Sequence, residues 1–206
     1  VLELWGIRVG PIIAGLGLLG VAVALGAQDL FKNLISGVLV LVEKRFKKGD
    51  VIIIEGTIEG TVEKIGFRST AIRKFDKSLC FIPNNQFAEK ALTNITKISN
   101  RRINWIIGLE YKSTTKQLKT ICEDIESKIM SRNQNFSVNT ETPVIVKIYE
   151  FSDSSINILV RCFTKTNDFN QLLEAKSLLA VDIKEIVEKR GGSFAFPSQS
   201  IYVEKS

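Results

Sequence analysis

Residues 12–27, IIAGLGLLGVAVALGA, carry no charge and no polar side chain. Placed at about 100° per residue, they sort by size around a helix. Leu18, Val21 and Leu25 share one stripe. Gly17, Gly20 and Ala24 lie along one flank of it, and Gly15, Ala22 and Gly26 along the other. Ile12, Leu16, Leu19 and Val23 form a second bulky face opposite. A helix with one close partner needs one small-residue face. Two such faces suit two equivalent neighbours, as in a closed ring of identical chains. The stripe between them then points at the ring axis, and Leu18, Val21 and Leu25 line an apolar pore. A buried core helix of a soluble protein is the competing reading. Against it, each of Gly15, Gly17, Gly20 and Gly26 would cost about 1 kcal/mol relative to alanine in such a helix. Close approach of backbones offsets that cost.

Downstream, Gln28, Asp29, Lys32 and Asn33 interrupt the apolar run, while Leu30, Leu34, Val38 and Leu41 keep helical spacing. This predicts a break or bend near Gln28 and Asp29, then an amphipathic helix along a membrane surface to about Phe46. Ser36 and Gly37 are a second flex point, and one straight helix is the alternative. Residues 1–46 thus form the membrane segment. From Lys47 the chain turns to short runs rich in Ile, Val, Thr and Phe, separated by glycines and by Asp76-Lys77. That spacing predicts a small all-β domain over residues 47–100, an Sm-like barrel of four or five strands. A strand ends at Ile82-Pro83-Asn84, and residues 86–91 make one helical turn. Residues 101–206 read strand (103–111), helix (116–130), strand (144–151), strand (156–164), helix (168–190), strand (200–204). This is the order of an α+β ferredoxin-like domain. Leu118, Ile121, Cys122, Ile125 and Ile129 form the apolar face of its first helix. Leu172, Leu179, Ala180, Ile183, Ile186 and Val187 form that of its second. Asp168 with Gln171 starts the second helix, and Gly191-Gly192 ends it.

Composition narrows the chemistry. The chain of 206 residues has no histidine, which removes the commonest general base and metal ligand. Cys80, Cys122 and Cys162 are far apart, form no CxxC pair and sit among apolar residues. They read as core side chains in a reducing compartment. No metal, cofactor or catalytic set is expected. Gly15 to Gly20 matches GxGxxG, but inside an apolar run it reads as helix packing and not as a nucleotide loop. The net charge of +6 permits nucleic acid. Neither strand 103–111 nor strand 156–164, however, carries the basic-Gly-aromatic run of an RNA-recognition motif, so no nucleic-acid partner is expected. The uncharged run 9–27 has the length of a bilayer crossing. It lacks the basic leader of a signal peptide, and residue 1 already lies in an apolar stretch, which predicts earlier membrane helices. Lys44, Arg45, Lys47 and Lys48 follow the second apolar run and place the later domains in the cytoplasm.

Several ordered segments resemble the MscS family, the small-conductance mechanosensitive channels of bacteria. LGVAVALGAQDLFKNLISGVLVLVEKRFKKGD is similar to that family's pore helix, kink and interfacial helix. EGTIEGTVEKIGFRSTAIR and CFIPNNQF resemble its β domain and Pro-Asn turn. SSINILVRCFTKTNDF and GSFAFPSQSIYV resemble its cytoplasmic α/β domain and terminal strand. The resemblance implies a homoheptamer in a bacterial inner membrane, with three membrane helices per subunit, of which only the third is complete here. It implies that Val21 and Leu25 form two hydrophobic constriction rings. Ala14, Gly17, Gly20, Ala22 and Ala24 match packing positions, and Gln28 matches a glutamine just before the kink. Asp29 stands where some members have a hinge glycine, Val21 where leucine is common, and Ala195 in place of a proline. Leu30, Phe31 and Leu34 give the interfacial helix its apolar face, and either pass the tension signal on or only anchor that helix. The implied function is a tension-opened channel releasing ions and small osmolytes during hypo-osmotic shock, with membrane lipid as partner. A ligand-gated channel of the same architecture is the alternative.

Overall fold

The computed structural model describes residues 9–198. They fall into two compact units that divide between Lys97 and Ile98, each with its own core.

The first unit opens with one helix, α1 (Val9–Glu43). Of the break or bend expected near Gln28 and Asp29, the break is not made, and the helix continues through both. Neither residue lacks a backbone donor, and the one proline of α1, Pro11, sits in the first turn, where it is tolerated. The Asp29 carbonyl also accepts a bond from Asn33 Nδ2 at 2.8 Å, which ties down the next turn. The helix ends at Lys44, which adopts a left-handed φ of 51°.

Strands β1 (Val51–Ile54), β2 (Ile58–Ile65), β3 (Ser69–Arg73) and β4 (Leu79–Pro83) follow. After them come the short helix α2 (Asn85–Glu89), strand β5 (Leu92–Asn94) and a 3-10 turn, Ile95–Lys97. The strands form one antiparallel sheet in the order β4-β3-β2-β1-β5, bent by an irregularity between Val62 and Lys64. Alternation puts Ile52, Ile54, Ile58 and Val62 inward. They pack with Val40 of α1 and with Phe46 and Phe87, whose rings stand 5.0 Å apart. Among the described residues β4 and β5 are the two sheet edges and do not pair, so main-chain bonds do not close the expected barrel.

The second unit comprises β6 (Arg102–Leu109), α3 (Thr115–Ser131), β7 (Phe136–Ser137), β8 (Ile145–Phe151), β9 (Ile156–Thr164) and α4 (Phe169–Lys189). Strand β9 is central, with β6 antiparallel on one side and β8 antiparallel on the other. Hence β6 and β8 run parallel, with α3 as their crossover. The two-residue β7, absent from the sequence reading, extends the β8 side by pairing with Phe163 and Thr164. Phe194 bridges Leu109 antiparallel on β6. The expected strand at 200–204 lies outside the described residues.

The five residues assigned to the apolar face of α3 are its buried residues. At its start Thr114 and Gln117 form a reciprocal capping box. On α4, Asp168 caps the Gln171 N–H at 2.9 Å and Gly191 takes the left-handed φ of 68° past the end. The buried face of α4 differs from the expected one. Ala180 is exposed, while Ala175 and Asp182 are buried. Asp182 is admitted to the core because Arg132 reaches it with two nitrogens, at 2.8 and 2.6 Å, and Lys128 Nζ stands 3.6 Å away.

Candidate functional site

Helix α1 holds 34 residues, Gly10–Glu43, long and apolar enough to cross a membrane, and none of its most apolar window is buried within the chain. At 1.5 Å per residue that is about 51 Å, more than a bilayer's hydrocarbon core. Leu18, Val21 and Leu25 stand 75, 58 and 66 % exposed along one stripe. Ala14, Ala22, Ala24, Gln28 and Asp29 are exposed as well. A Cβ built on Gly15, Gly17, Gly20 or Gly26 would meet nothing within 4 Å. Exposed apolar surface of this extent, with grooves of bare backbone beside it, needs a cover from outside the chain.

Below this segment α1 is seated on its own β unit. The seat is Asn33, Ser36, Gly37 and Val40, spaced i, i+3, i+4, i+7, and all four are buried. Gly37 is where the backbones meet. A Cβ there would stand 2.6 Å from Asn84 Nδ2 and 2.9 Å from the Phe67 carbonyl oxygen, so only glycine fits. Asn84, fully buried, holds the surface that receives it. Its Nδ2 donates to the carbonyls of Gly66 and Phe67, both at 2.9 Å, and its Oδ1 accepts from Thr70 Oγ1 at 2.9 Å. One residue on, the Asn85 N–H donates to Asn33 Oδ1 at 3.0 Å. Asn33 thus joins the Asp29 carbonyl of α1 to the start of α2. Lys32 forms an ion pair with Glu89 at the other end of α2. Beyond the helix Arg45 donates to the Phe87 carbonyl at 3.0 Å, and Asn94 Nδ2 to the Arg45 carbonyl at 3.1 Å.

Of the residues read as kink and coupling positions, the structure brings Gly37 into this seat and half-buries Leu34. Leu30 and Phe31 remain 50 and 59 % exposed. Asn33, Ser36 and Val40, which carry the contact with Gly37, were not singled out for it in the sequence. Their signal is a run of small and polar residues at helical spacing inside an apolar helix. Among the described residues no cluster of carboxylates and thiols has the makings of a metal site. All three cysteines are free, and burial pushes the Cys162 thiol up to about 12.

Comparison with known proteins places both units. Residues 29–97 match the family described as mechanosensitive ion channel, beta-domain, and residues 103–194 that described as mechanosensitive ion channel MscS, C-terminal. An uncharacterized MscS family protein of Aquifex aeolicus is 40% identical over 204 residues, covering 99% of this chain and 54% of the relative. The small-conductance mechanosensitive channel MscMJ of Methanocaldococcus jannaschii is 37% identical over 200 residues, covering 97% and 55%. The chain therefore spans about half the length of the curated relatives it matches. Its fold superposes on the crystal structure of Helicobacter pylori MscS in the closed state with a TM-score of 0.81 at 28% identity, covering all of this chain and 78% of that one.

Proposed function

The chain belongs to the MscS family of mechanosensitive ion channels, and from that premise we propose that it forms the pore and cytoplasmic part of a channel opened by membrane tension. The observation that carries the reading is α1: membrane-length, apolar, with its most apolar window unburied and edged on both flanks by small residues. A ring of identical chains covers those flanks. Ala14, Gly15, Gly17, Gly20, Ala22, Ala24 and Gly26 pack against neighbouring copies, seven in all by the family resemblance. Leu18, Val21, Leu25 and Gln28 then face the axis. Val21 and Leu25 offer no hydrogen bond to an ion's hydration shell, so rings of them exclude water when close and conduct once separated. Tension favours the wider state through its larger in-plane area, and only the difference between the two states matters.

In this reading α1 and the β unit move as connected parts. Gly37 against Asn84 and Asn33 against Asn85 hold the lower helix to the β unit. Opening then bends the helix around Asp29, Leu30 and Phe31. Residues 1–46 form the membrane segment, in the inner membrane of a bacterial cell together with further membrane helices. Residues 47–100 form the Sm-like β element, for which the meander β1 to β4 with β5 returning beside β1 is the support. Residues 101–206 form a ferredoxin-like domain, supported by parallel β6 and β8 around β9. Both stand in the cytoplasm, and ions and small osmolytes pass. The test is Val21→Ser and Leu25→Ser in the full-length protein. A hydroxyl at either ring wets the constriction and lowers the opening tension in patch recordings. Unchanged thresholds for both variants would remove these residues from the gate.

A further inference from the structure

Asp29 is the first charged residue of α1, and the helix carries its backbone pattern through that position. Because the pattern is kept, the register of the upper helix still holds there. At about 100° per residue, Asp29 falls about 20° from Leu18 and about 40° from Leu25 around the helix axis. The stripe of Leu18, Val21 and Leu25 therefore runs on, one turn later, into a carboxylate. Asp29 is exposed, and among the described residues its carboxylate pairs with no cation. Only its main-chain carbonyl is engaged, by Asn33 Nδ2 at 2.8 Å. The next cation along α1, Lys32, is balanced by its ion pair with Glu89 of α2. The stripe thus passes from apolar to net negative at Asp29.

Hydrocarbon solvates a carboxylate poorly, so a charged side chain in or beside a membrane span faces a partner or a water-filled cavity. Asp29 has no partner cation in its own chain. Leu25, one turn above it, faces the pore axis in the reading of α1 given above, and Asp29 then meets the water of the same lumen. Resting on that reading, we propose that Asp29 sets the charge preference of the pore. One carboxylate from each chain forms a ring below the apolar constriction and favours small monovalent cations over anions. Such a ring raises the local concentration of cations and lowers that of anions through one potential. At about 10 Å from the ion, and across a Debye length of about 8 Å, seven such charges favour potassium over chloride by roughly tenfold. Val21 and Leu25 decide whether water enters, and Asp29 decides which ion follows.

The test records the full-length protein under suction across a gradient of potassium chloride, where the reversal potential reads the ratio of potassium to chloride permeability. Native channels should favour potassium. Asp29→Asn should lower the ratio roughly tenfold, and Asp29→Glu should retain it. An unchanged ratio in Asp29→Asn would overturn the proposal. Asp29→Cys makes the test independent of how readily a variant opens, since its charge is altered on channels already conducting. A negatively charged methanethiosulfonate should raise the potassium preference of these channels and a positively charged one should reverse it. Native channels serve as the control for Cys80, Cys122 and Cys162. No shift with either reagent would place position 29 outside the lumen and overturn the assignment. Native channels that open under suction but pass both ions equally would also overturn it, while leaving the pore reading intact. Protein present in the membrane with no current at any suction would instead remove the pore, and the ring with it.

Discussion

Gly37→Ala is the smallest change that separates α1 from the β unit. In an isolated helix it would help by about 1 kcal/mol. Here the new methyl would stand 2.6 Å from Asn84 Nδ2 and 2.9 Å from the Phe67 carbonyl oxygen, and neither can yield freely. Turning the Asn84 amide away breaks its two 2.9 Å donations and leaves that fully buried amide short of partners, at about 1–3 kcal/mol. Lifting the helix instead opens the contacts of Asn33 and Val40, and overpacking of this kind costs about 1–3 kcal/mol. The unfavourable terms win, leaving the seat weaker by roughly 1–3 kcal/mol. Hydrogen exchange reads this locally. The Asn85 amide, bonded to Asn33 Oδ1, and its neighbours in α2 should exchange about 5- to 150-fold faster, while amides of β9 in the other unit stay unchanged. Slower or unaltered exchange in α2 would mean that the helix gain dominates and that the close approach at Gly37 is not a constraint.

Three further outcomes follow from other parts of the chain. Gly20→Leu or Ala24→Leu fills a flank that has open space in the single chain, so the monomer's fold should persist while assembly or opening fails. Normal assembly with normal opening would refute helix contacts on both flanks. Arg132→Met leaves the Asp182 carboxylate, 5 % exposed, with only Lys128 at 3.6 Å. Loss of a partner to a buried charge costs about 3–5 kcal/mol, and the second cation moves the expectation to the lower end. Thermal unfolding of the second unit reads it, and an unchanged midpoint would deny the pair a structural role. The Cys162 thiol is raised from 9.0 to about 12 by burial. A folded-state value above the unfolded one favours the native state below about pH 9, and that contribution is lost as pH rises toward 12. Native protein should therefore resist alkylation at Cys162 up to pH 9, with rapid labelling only after denaturation. Rapid native labelling would place the thiol outside the core.

What could be read ahead of the structure follows from which forces are periodic. Helix α3 was anticipated side chain by side chain because one apolar stripe faces one core. Helix α4 was not, since Asp182 enters the core only through Arg132, fifty residues away, and no local pattern encodes that partner. Spacing points Ala180 inward, but a methyl gains too little from burial to set the orientation, and Ala175 is buried instead. Polarity alone suggests a break or bend at Gln28 and Asp29. Polarity does not interrupt a backbone that keeps its donors, and α1 runs on. The stripes of α1 are visible in sequence because helical geometry alone produces them. Its seat is not, because Asn33, Ser36 and Gly37 look like interruptions until Asn84 and Asn85 are brought against them. The two-residue strand β7 owes its existence to β9 and has no signature of its own.

The most direct measurement of the proposed function is a patch recording of the full-length protein under graded suction, in cells without tension-gated channels of their own. Stepwise currents whose open probability rises with suction are the expected result. Protein present in the membrane with no current at any suction short of rupture would contradict a tension-opened pore.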